Sequence, residues 1–169
     1  MPESLTRLLP DEAATADFGG SLARAIATTQ PRQLVVFLTG ELGAGKTALT
    51  RAVLAGLGHR GRVPSPTYTL VEPYALPGFR LVHVDLYRLE ALADVDDLAL
   101  AESLGNDPAA GSLLVVEWPE RGAGRLPAPD IHGYLRLADP AGRRVELRAG
   151  SASGHAVLDA LRQQLGDTI

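Results

Sequence analysis

The sequence contains no cysteine, which excludes disulfide bonds, thiolate metal sites and thiol nucleophiles. It also has no apolar run approaching the roughly 18 residues of a transmembrane helix, and its first residues lack the apolar region of a signal peptide. We therefore expect a cytoplasmic protein without membrane contact. Basic residues are not in excess: the net charge of −4 is unlike that of a stand-alone nucleic-acid-binding protein.

Lysine is nearly absent, because Lys46 is the only lysine among 16 Lys and Arg residues. It lies in the segment Gly-Glu-Leu-Gly-Ala-Gly-Lys-Thr, residues 40–47, which matches the Walker A phosphate-binding pattern G-x-x-x-x-G-K-[ST]. A random match is expected in on the order of one in a thousand chains of this composition. An ammonium kept at this one place indicates phosphate binding, since lysine is a compact point charge whereas arginine is a wide planar fork.

The surroundings of this segment fit the motif. An apolar run at 34–38 predicts a buried strand before the loop, and residues 48–57 have helical spacing, with Gly58 as a C-terminal stop. We expect Lys46 to bridge the β- and γ-phosphates and the Thr47 hydroxyl to bind Mg²⁺. Backbone amides of the loop should cradle the phosphates. The predicted phosphate-binding residues are Glu41, Leu42, Gly43, Ala44, Gly45, Lys46 and Thr47.

Two acids follow apolar strands and are candidates for fixing magnesium or a water. Glu117 follows the run 113–116 in the Walker B pattern, and Asp85 follows 81–84, where His83 interrupts the apolar residues. Ligands of open α/β sheets lie at the carboxyl ends of strands. We therefore predict Thr47, Glu117 and Asp85 as metal-binding residues. The alternative for either acid is a strand-end cap or a surface residue.

Other candidates carry alternatives that the sequence leaves open. Thr67, in a proline-pinned loop, is either a switch threonine that senses the γ-phosphate and magnesium or the start of a strand. Trp118, the sole tryptophan, is either a core anchor or a partner-facing or switch-like aromatic. Arg143 and its neighbouring arginines are solvated charges or contacts to a nucleotide. The four histidines show no metal-binding spacing, and we expect surface or structural roles for them.

The order of elements predicts a three-layer α/β, P-loop NTPase-like fold with a central sheet of parallel and antiparallel strands. We expect one domain over 1–169. Its predicted parts include a helix at 13–27 capped by Asp11, a hairpin of strands 68–71 and 80–85, a helix at 94–104, a β-hairpin at about 134–148 and a helix at about 155–165.

The guanine-reading motif N-K-x-D is absent, since the only lysine already belongs to the loop and Asn106 is the only asparagine. This absence favours ATP as the nucleotide. Two alternatives to an ATP-driven accessory switch are a small-molecule P-loop kinase and a nucleotide-dependent binding module that does not hydrolyse its ligand. The acidic segment 90–105 contains no arginine, which disfavours a kinase lid.

Four blocks together resemble the TsaE (YjeE) family of bacterial ATPases in tRNA threonylcarbamoyladenosine biosynthesis. They are the Walker loop, Ser-Pro-Thr-Tyr-Thr-Leu-Val-Glu at 65–72, His-Val-Asp-Leu-Tyr-Arg-Leu at 83–89 and Val-Glu-Trp-Pro-Glu at 116–120. The similarity extends from about Leu8 to Val145. The Walker loop is shared with many proteins, whereas the other three blocks are specific. Glu41 departs from the family, where aspartate is frequent; because this residue acts through its backbone, the change should be harmless.

The resemblance implies slow ATP hydrolysis with Mg²⁺ and association with a TsaB–TsaD-like heterodimer, which itself transfers the threonylcarbamoyl group. Contact with tRNA would be indirect or weak. By motif position, Lys46, Thr67 and Glu117 match the catalytic residues, and Asp85 matches an acid near magnesium. The segment that contains Glu12 falls where the family's N-terminus approaches the base.

Overall fold

The computed structural model describes residues 4–105 and 107–166, which contain a seven-stranded sheet and five helices. The strands are β1 (Ser4–Leu9), β2 (Gln33–Thr39), β3 (Val71–Leu76), β4 (Phe79–Asp85), β5 (Gly111–Glu117), β6 (Ile131–Ala138) and β7 (Gly142–Ala149). The helices are α1 (Glu12–Thr29), α2 (Lys46–Gly56), α3 (Asp94–Asp97), α4 (Leu100–Ser103) and α5 (Ala152–Leu165), with a 3₁₀ turn at Pro119–Gly122. Because the predicted domain of 1–169 extends beyond the described ranges, its extent stays a prediction.

The sheet has the order β1-β7-β6-β2-β5-β4-β3. β2 pairs in parallel with β5 and β6, and β4 pairs in parallel with β5, whereas β1, β3 and β7 are antiparallel to their neighbours. The carboxyl ends of β2, β4 and β5 therefore meet at one edge. The predicted α/β fold with a mixed sheet is confirmed.

Each face of the central strands packs into its own core, as alternation along a strand requires. In β2, Leu34, Val36 and Leu38 face a core shared with α1, α2 and α5, whereas Val35 faces a second core shared with α3 and α4. The sheet thus forms the middle of three layers. None of the helices in the described ranges has the length and apolar character needed to cross a bilayer.

Side chains cap the N-termini of two helices, and one of these caps was predicted. The Asp11 carboxylate accepts a hydrogen bond from the Ala14 amide at 2.8 Å, which caps α1 as predicted. Ser151 caps α5 in the same way through the Gly154 amide, so this helix begins three residues before the predicted His155.

Two predicted elements are wrong. The strand predicted at 68–71 begins only at Val71, because the Leu70 amide bonds Pro66 O at 2.7 Å in a turn and Leu70 has φ 65°. The helix predicted at 94–104 is two helices of four residues each, because Ala99 adopts the left-handed conformation, with φ 49°. A non-glycine residue seldom adopts this conformation, so local spacing did not indicate the break.

Candidate functional site

The loop between β2 and α2 has the shape of a phosphate cradle. Gly43 and Gly45 have φ of 80° and 102°, which favours glycine over other residues. A methyl group at Gly40 would lie 2.5 Å from Leu135 O, so this position requires close backbone approach. The loop glycines therefore give the backbone a shape that other residues would not readily adopt.

The amides of this loop are available to an anion. Ala44 N–H donates to Glu41 O at 3.0 Å. In the described part of the chain, the amides of Gly43, Gly45, Lys46 and Thr47 have no backbone acceptor. These amides lie at the N-terminus of α2, where the helix dipole adds positive potential.

The Lys46 ammonium lies against its own loop. Its Nζ donates to Gly40 O at 2.5 Å and to Glu41 O at 3.0 Å, and it lies 4.3 Å from the centre of the Trp118 ring. Burial lowers the pKa of Lys46 below its ordinary value. Four carboxylates oppose that shift, in order of effect Glu117, Asp85, Glu120 and Glu41. A buried cation held by neutral carbonyls is suited to exchange them for an anion.

Glu117, at the end of β5, connects the loop helix to the sheet. The Thr47 hydroxyl donates to Glu117 Oε1 at 2.9 Å and Oε2 at 3.0 Å. The Glu117 side chain is only 2% exposed. His83 Nε2 lies 2.6 Å from Glu117 Oε2, and because a carboxylate can only accept, the imidazole donates this bond.

Asp85 lies beside Glu117 in the register of β4 and β5. Its Oδ2 accepts from the hydroxyls of Ser65 and Thr67, each at 3.2 Å, and its Oδ1 accepts from the Tyr87 amide at 2.9 Å. The two hydroxyls are themselves 2.8 Å apart. Asp85 therefore holds the proline-pinned loop against the strand end.

Trp118 is neither a fully buried core residue nor a fully exposed one. It follows β5 in the left-handed conformation, with φ 58°, and is half-buried. The ring centre of Tyr87 lies 5.0 Å from its own, and the Arg121 guanidinium lies 5.8 Å from the same ring. The tryptophan thus contacts the phosphate loop on one side and a polar aromatic cluster on the other.

Two further candidates for contact with the nucleotide, Arg143 and Glu12, lie outside the Walker loop. Arg143 is near it, because a methyl group at Gly45 would lie 3.5 Å from Arg143 Nε. Glu12 is exposed in the first turn of α1. Leu9, the last residue of β1, pairs with Arg143 near the start of β7. The start of α1 therefore lies at the same end of the sheet as Arg143. A contact of Glu12 with a base stays a prediction, and a contact of Arg143 with the nucleotide stays an open alternative.

The structure brings Lys46, Thr47, Glu117, Asp85 and Thr67 together at one sheet edge. Their assigned roles stay predictions. His83 was not among the predicted site residues, since we expected only surface or structural roles for the histidines. It is fully buried and touches Glu117. The available signal was a polar residue inside an otherwise apolar strand, two positions before a predicted site acid.

The donor set fits Mg²⁺ in combination with phosphate. Within 4–105 and 107–166, no group of three or more His, Cys, Asp or Glu side chains is arranged to hold a metal. The Thr47 hydroxyl and the carboxylates of Glu117 and Asp85 are hard oxygen donors, and Mg²⁺ commonly binds one or two carboxylates plus substrate phosphates. These three residues would therefore hold magnesium only together with the nucleotide.

Known proteins resemble the chain over most of its length. A family model described as Threonylcarbamoyl adenosine biosynthesis protein TsaE matches residues 9–145. The chain is 40% identical over 159 residues to the tRNA threonylcarbamoyladenosine biosynthesis protein TsaE of Haemophilus influenzae, covering 94% of this chain and 98% of that protein. The Synechocystis protein of the same name is 38% identical over 118 residues, with 70% and 72% covered.

A solved structure shares the fold. The crystal structure of YdiB from Bacillus subtilis matches with a TM-score of 0.79 and covers 98% of this chain and 99% of its own. The sequences are 24% identical, so this likeness concerns the fold alone.

Proposed function

The chain belongs to the TsaE family, and from this premise we propose that it binds and hydrolyses ATP as an accessory protein of tRNA threonylcarbamoyladenosine biosynthesis. The observation that carries the proposal is the hydrogen-bonded Thr47–Glu117 pair, with its buried carboxylate, beside the open amides of the Walker loop. This arrangement joins a phosphate cradle to a strand-end acid, which are the two parts that P-loop hydrolysis requires.

Phosphate binding rests on Lys46 and the loop amides. The ammonium is buried and donates to two neutral carbonyls at 2.5 and 3.0 Å, so an incoming triphosphate offers it a stronger, charged acceptor. Binding at this point also raises the pKa of Lys46, because the phosphate charge opposes the effect of burial.

Magnesium fits beside Thr47, Glu117 and Asp85. When bound, Mg²⁺ would neutralise charge on the β- and γ-phosphate oxygens. The Thr47 hydroxyl already gives its hydrogen to Glu117, which leaves its oxygen lone pairs free for a cation. Glu117 would orient the attacking water or a water bound to the metal, and Thr67 would sense the γ-phosphate through Asp85.

ATP is the proposed nucleotide, since the sequence lacks N-K-x-D. We place the chain in the cytoplasm, with a TsaB–TsaD-like heterodimer as its partner and at most indirect or weak contact with tRNA. Its cycle would reset that pair between turnovers, while the pair transfers the threonylcarbamoyl group. Membership of the TsaE family supports this function over a small-molecule kinase.

Removal of the lysine provides the first test. Mg-ATP at a hundredfold excess over Kd should stabilise the wild-type fold by about 2.7 kcal/mol, and Lys46→Ala should abolish the corresponding thermal shift. Arg80→Ala, which removes an exposed cation near the start of β4, at the other end of that strand from Asp85, is the control and should retain the shift. Absence of a shift in the wild type at millimolar Mg-ATP would contradict the proposal.

Reconstitution tests the partner. With a TsaB–TsaD-like pair and tRNA, the wild type should support many rounds of modification per transferase, whereas Lys46→Ala should support about one. Phosphate release should rise when the pair is added. ADP formed in step with a phosphorylated metabolite, without any protein partner, would instead establish the kinase alternative.

A further inference from the structure

His83 occupies a place where an apolar residue would ordinarily lie. It is in β4 opposite Val115 of β5, and Val115 is in turn opposite Val36 of β2. Both valines belong to the core beneath α2. The imidazole has no exposed surface. A polar ring in an apolar layer costs stability unless both nitrogens are bonded.

Only one of the two ring nitrogens is bonded in the described chain. Nε2 donates to Glu117 Oε2 at 2.6 Å, whereas Nδ1 is buried without a hydrogen-bond partner. A hydrogen on Nδ1 would be a buried donor without an acceptor, so the geometry assigns the hydrogen to Nε2. The ring is thus retained for a single contact, and that contact is with a site carboxylate.

The contact fixes the orientation of the Glu117 carboxylate. Oε2 accepts from both His83 and Thr47, at 2.6 and 3.0 Å, while Oε1 accepts from Thr47 at 2.9 Å. Three donor contacts from two elements therefore hold one carboxylate. Without His83, only the Thr47 hydroxyl among these donors would remain, and the carboxylate could rotate about its terminal torsion, which is broad for glutamate.

We propose that His83 is a positioning residue that holds Glu117 against Thr47 and thereby sets the magnesium-dependent step of hydrolysis. This inference rests on the proposed function, because it assigns a task to a neighbour of the proposed Walker B acid. Mutation of a residue that hydrogen-bonds to a metal ligand typically lowers metal affinity or activity by about 10- to 100-fold.

The test compares His83→Leu with His83→Gln. Leucine removes the donor, whereas the amide of glutamine can reach the position of Nε2. We expect His83→Leu to lower kcat, or the apparent affinity for Mg²⁺ at fixed ATP, by 10- to 100-fold, with the KM for nucleotide nearly unchanged because Lys46 and the loop amides are intact. His83→Gln should recover to within a few-fold of wild type.

A readout without turnover accompanies the kinetics. The thermal shift produced by ATP is measured as MgCl₂ is titrated. The dependence of ATP binding on Mg²⁺ is thereby obtained from the melting temperature, without any hydrolysis. His83→Leu should need more Mg²⁺ for the half-maximal shift, while the shift with ATP in EDTA should match wild type. His132→Leu is the matched control, because His132 is a half-buried histidine of β6 that bonds the Thr39 hydroxyl at 2.8 Å.

A double-mutant cycle separates positioning from general damage. If His83 acts through Glu117, adding His83→Leu to Glu117→Gln should cause no further loss of kcat. Should His83→Leu fold poorly, His83→Asn replaces it, since asparagine is polar but too short to reach the carboxylate.

The possible failures are distinguishable. His83 variants that equal His132→Leu in kcat and magnesium titration, or losses that simply add to those of Glu117→Gln, overturn the positioning role while leaving the ATPase proposal intact. A wild type that neither shifts with Mg-ATP nor releases phosphate overturns the proposed function itself.

Discussion

Two neighbouring carboxylates divide the site into halves that are built differently. Glu117 and Asp85 lie opposite each other across β5 and β4. The partners of Glu117 come from regular elements, Thr47 from α2 and His83 from β4. Two of the three partners of Asp85 are hydroxyls of the loop that precedes β3.

The difference separates a fixed part of the site from an adjustable one. Helix and strand positions are set by core packing on both sides, so the Glu117 half cannot shift without disturbing the core. The Asp85 half depends on two 3.2 Å hydrogen bonds from a partly exposed loop, and loops open at lower free-energy cost than packed elements. We therefore expect chemistry to depend most on Glu117, and response to the γ-phosphate to depend on the Asp85 half.

The largest effect on hydrolysis should come from a substitution of Glu117 in the fixed half of the site. Glu117→Gln preserves shape but removes the charge that accepts hydrogen bonds from Thr47 and His83. We expect kcat to fall roughly 10²-fold or more, with ATP affinity within a few-fold of wild type. Single-turnover phosphate release and equilibrium binding measure the two quantities. Undiminished turnover would remove Glu117 from the proposed role.

A smaller effect should come from the adjustable half. Thr67→Val removes one hydroxyl bonded to Asp85, and Ser65→Ala removes the other, at the same 3.2 Å distance. If Thr67 senses the γ-phosphate, Thr67→Val should reduce the preference for ATP over ADP roughly tenfold, about 1.4 kcal/mol, and Ser65→Ala should change it little. Equal effects of the two substitutions would reduce Thr67 to a loop-holding role.

The smallest effect should come from His132, which belongs to neither the Glu117 half nor the Asp85 half of the site. Burial lowers the pKa of His132 below its ordinary value; nearby Glu120 opposes this and Arg148 adds to it. Below pH about 6.5 the unfolded chain therefore gains a proton that the folded chain resists, so stability falls as pH decreases through that value. His132→Gln should flatten this dependence.

The measurement is the melting temperature of both proteins at pH about 7.5 and about 5.5. Glutamine can keep a hydrogen bond to Thr39 while losing the titration, so the two proteins should differ mainly at the lower pH. ATP hydrolysis should remain at the wild-type rate. An equal acid sensitivity of the two proteins would contradict the assignment to His132.

Local pattern sufficed to predict the parts of the site that are encoded in continuous segments. The Walker loop is one such segment, and the acids were predicted because each follows an apolar strand; the structure places Glu117 and Asp85 side by side. The layered fold followed from the alternation of strands and helices. Asp11 was identified as a cap because capping depends on the three residues that follow it.

The missed features depend on contacts between segments far apart in sequence. The role proposed for His83 depends on a partner 34 positions away, and no local pattern indicates that partner. The late start of β3 and the break at Ala99 arise from backbone conformations that are uncommon for leucine and alanine. Residue spacing does not indicate a left-handed conformation at a non-glycine residue, so neither feature could be predicted from the pattern.

The contact between the single lysine and the single tryptophan has a practical consequence. The indole of Trp118 lies 4.3 Å from the Lys46 ammonium, and the chain contains no second indole. Any anion that draws the ammonium away alters the surroundings of the only strong ultraviolet fluorophore. The native chain thus carries an intrinsic optical reporter at the phosphate loop, and ligand titrations can be followed without attaching a dye.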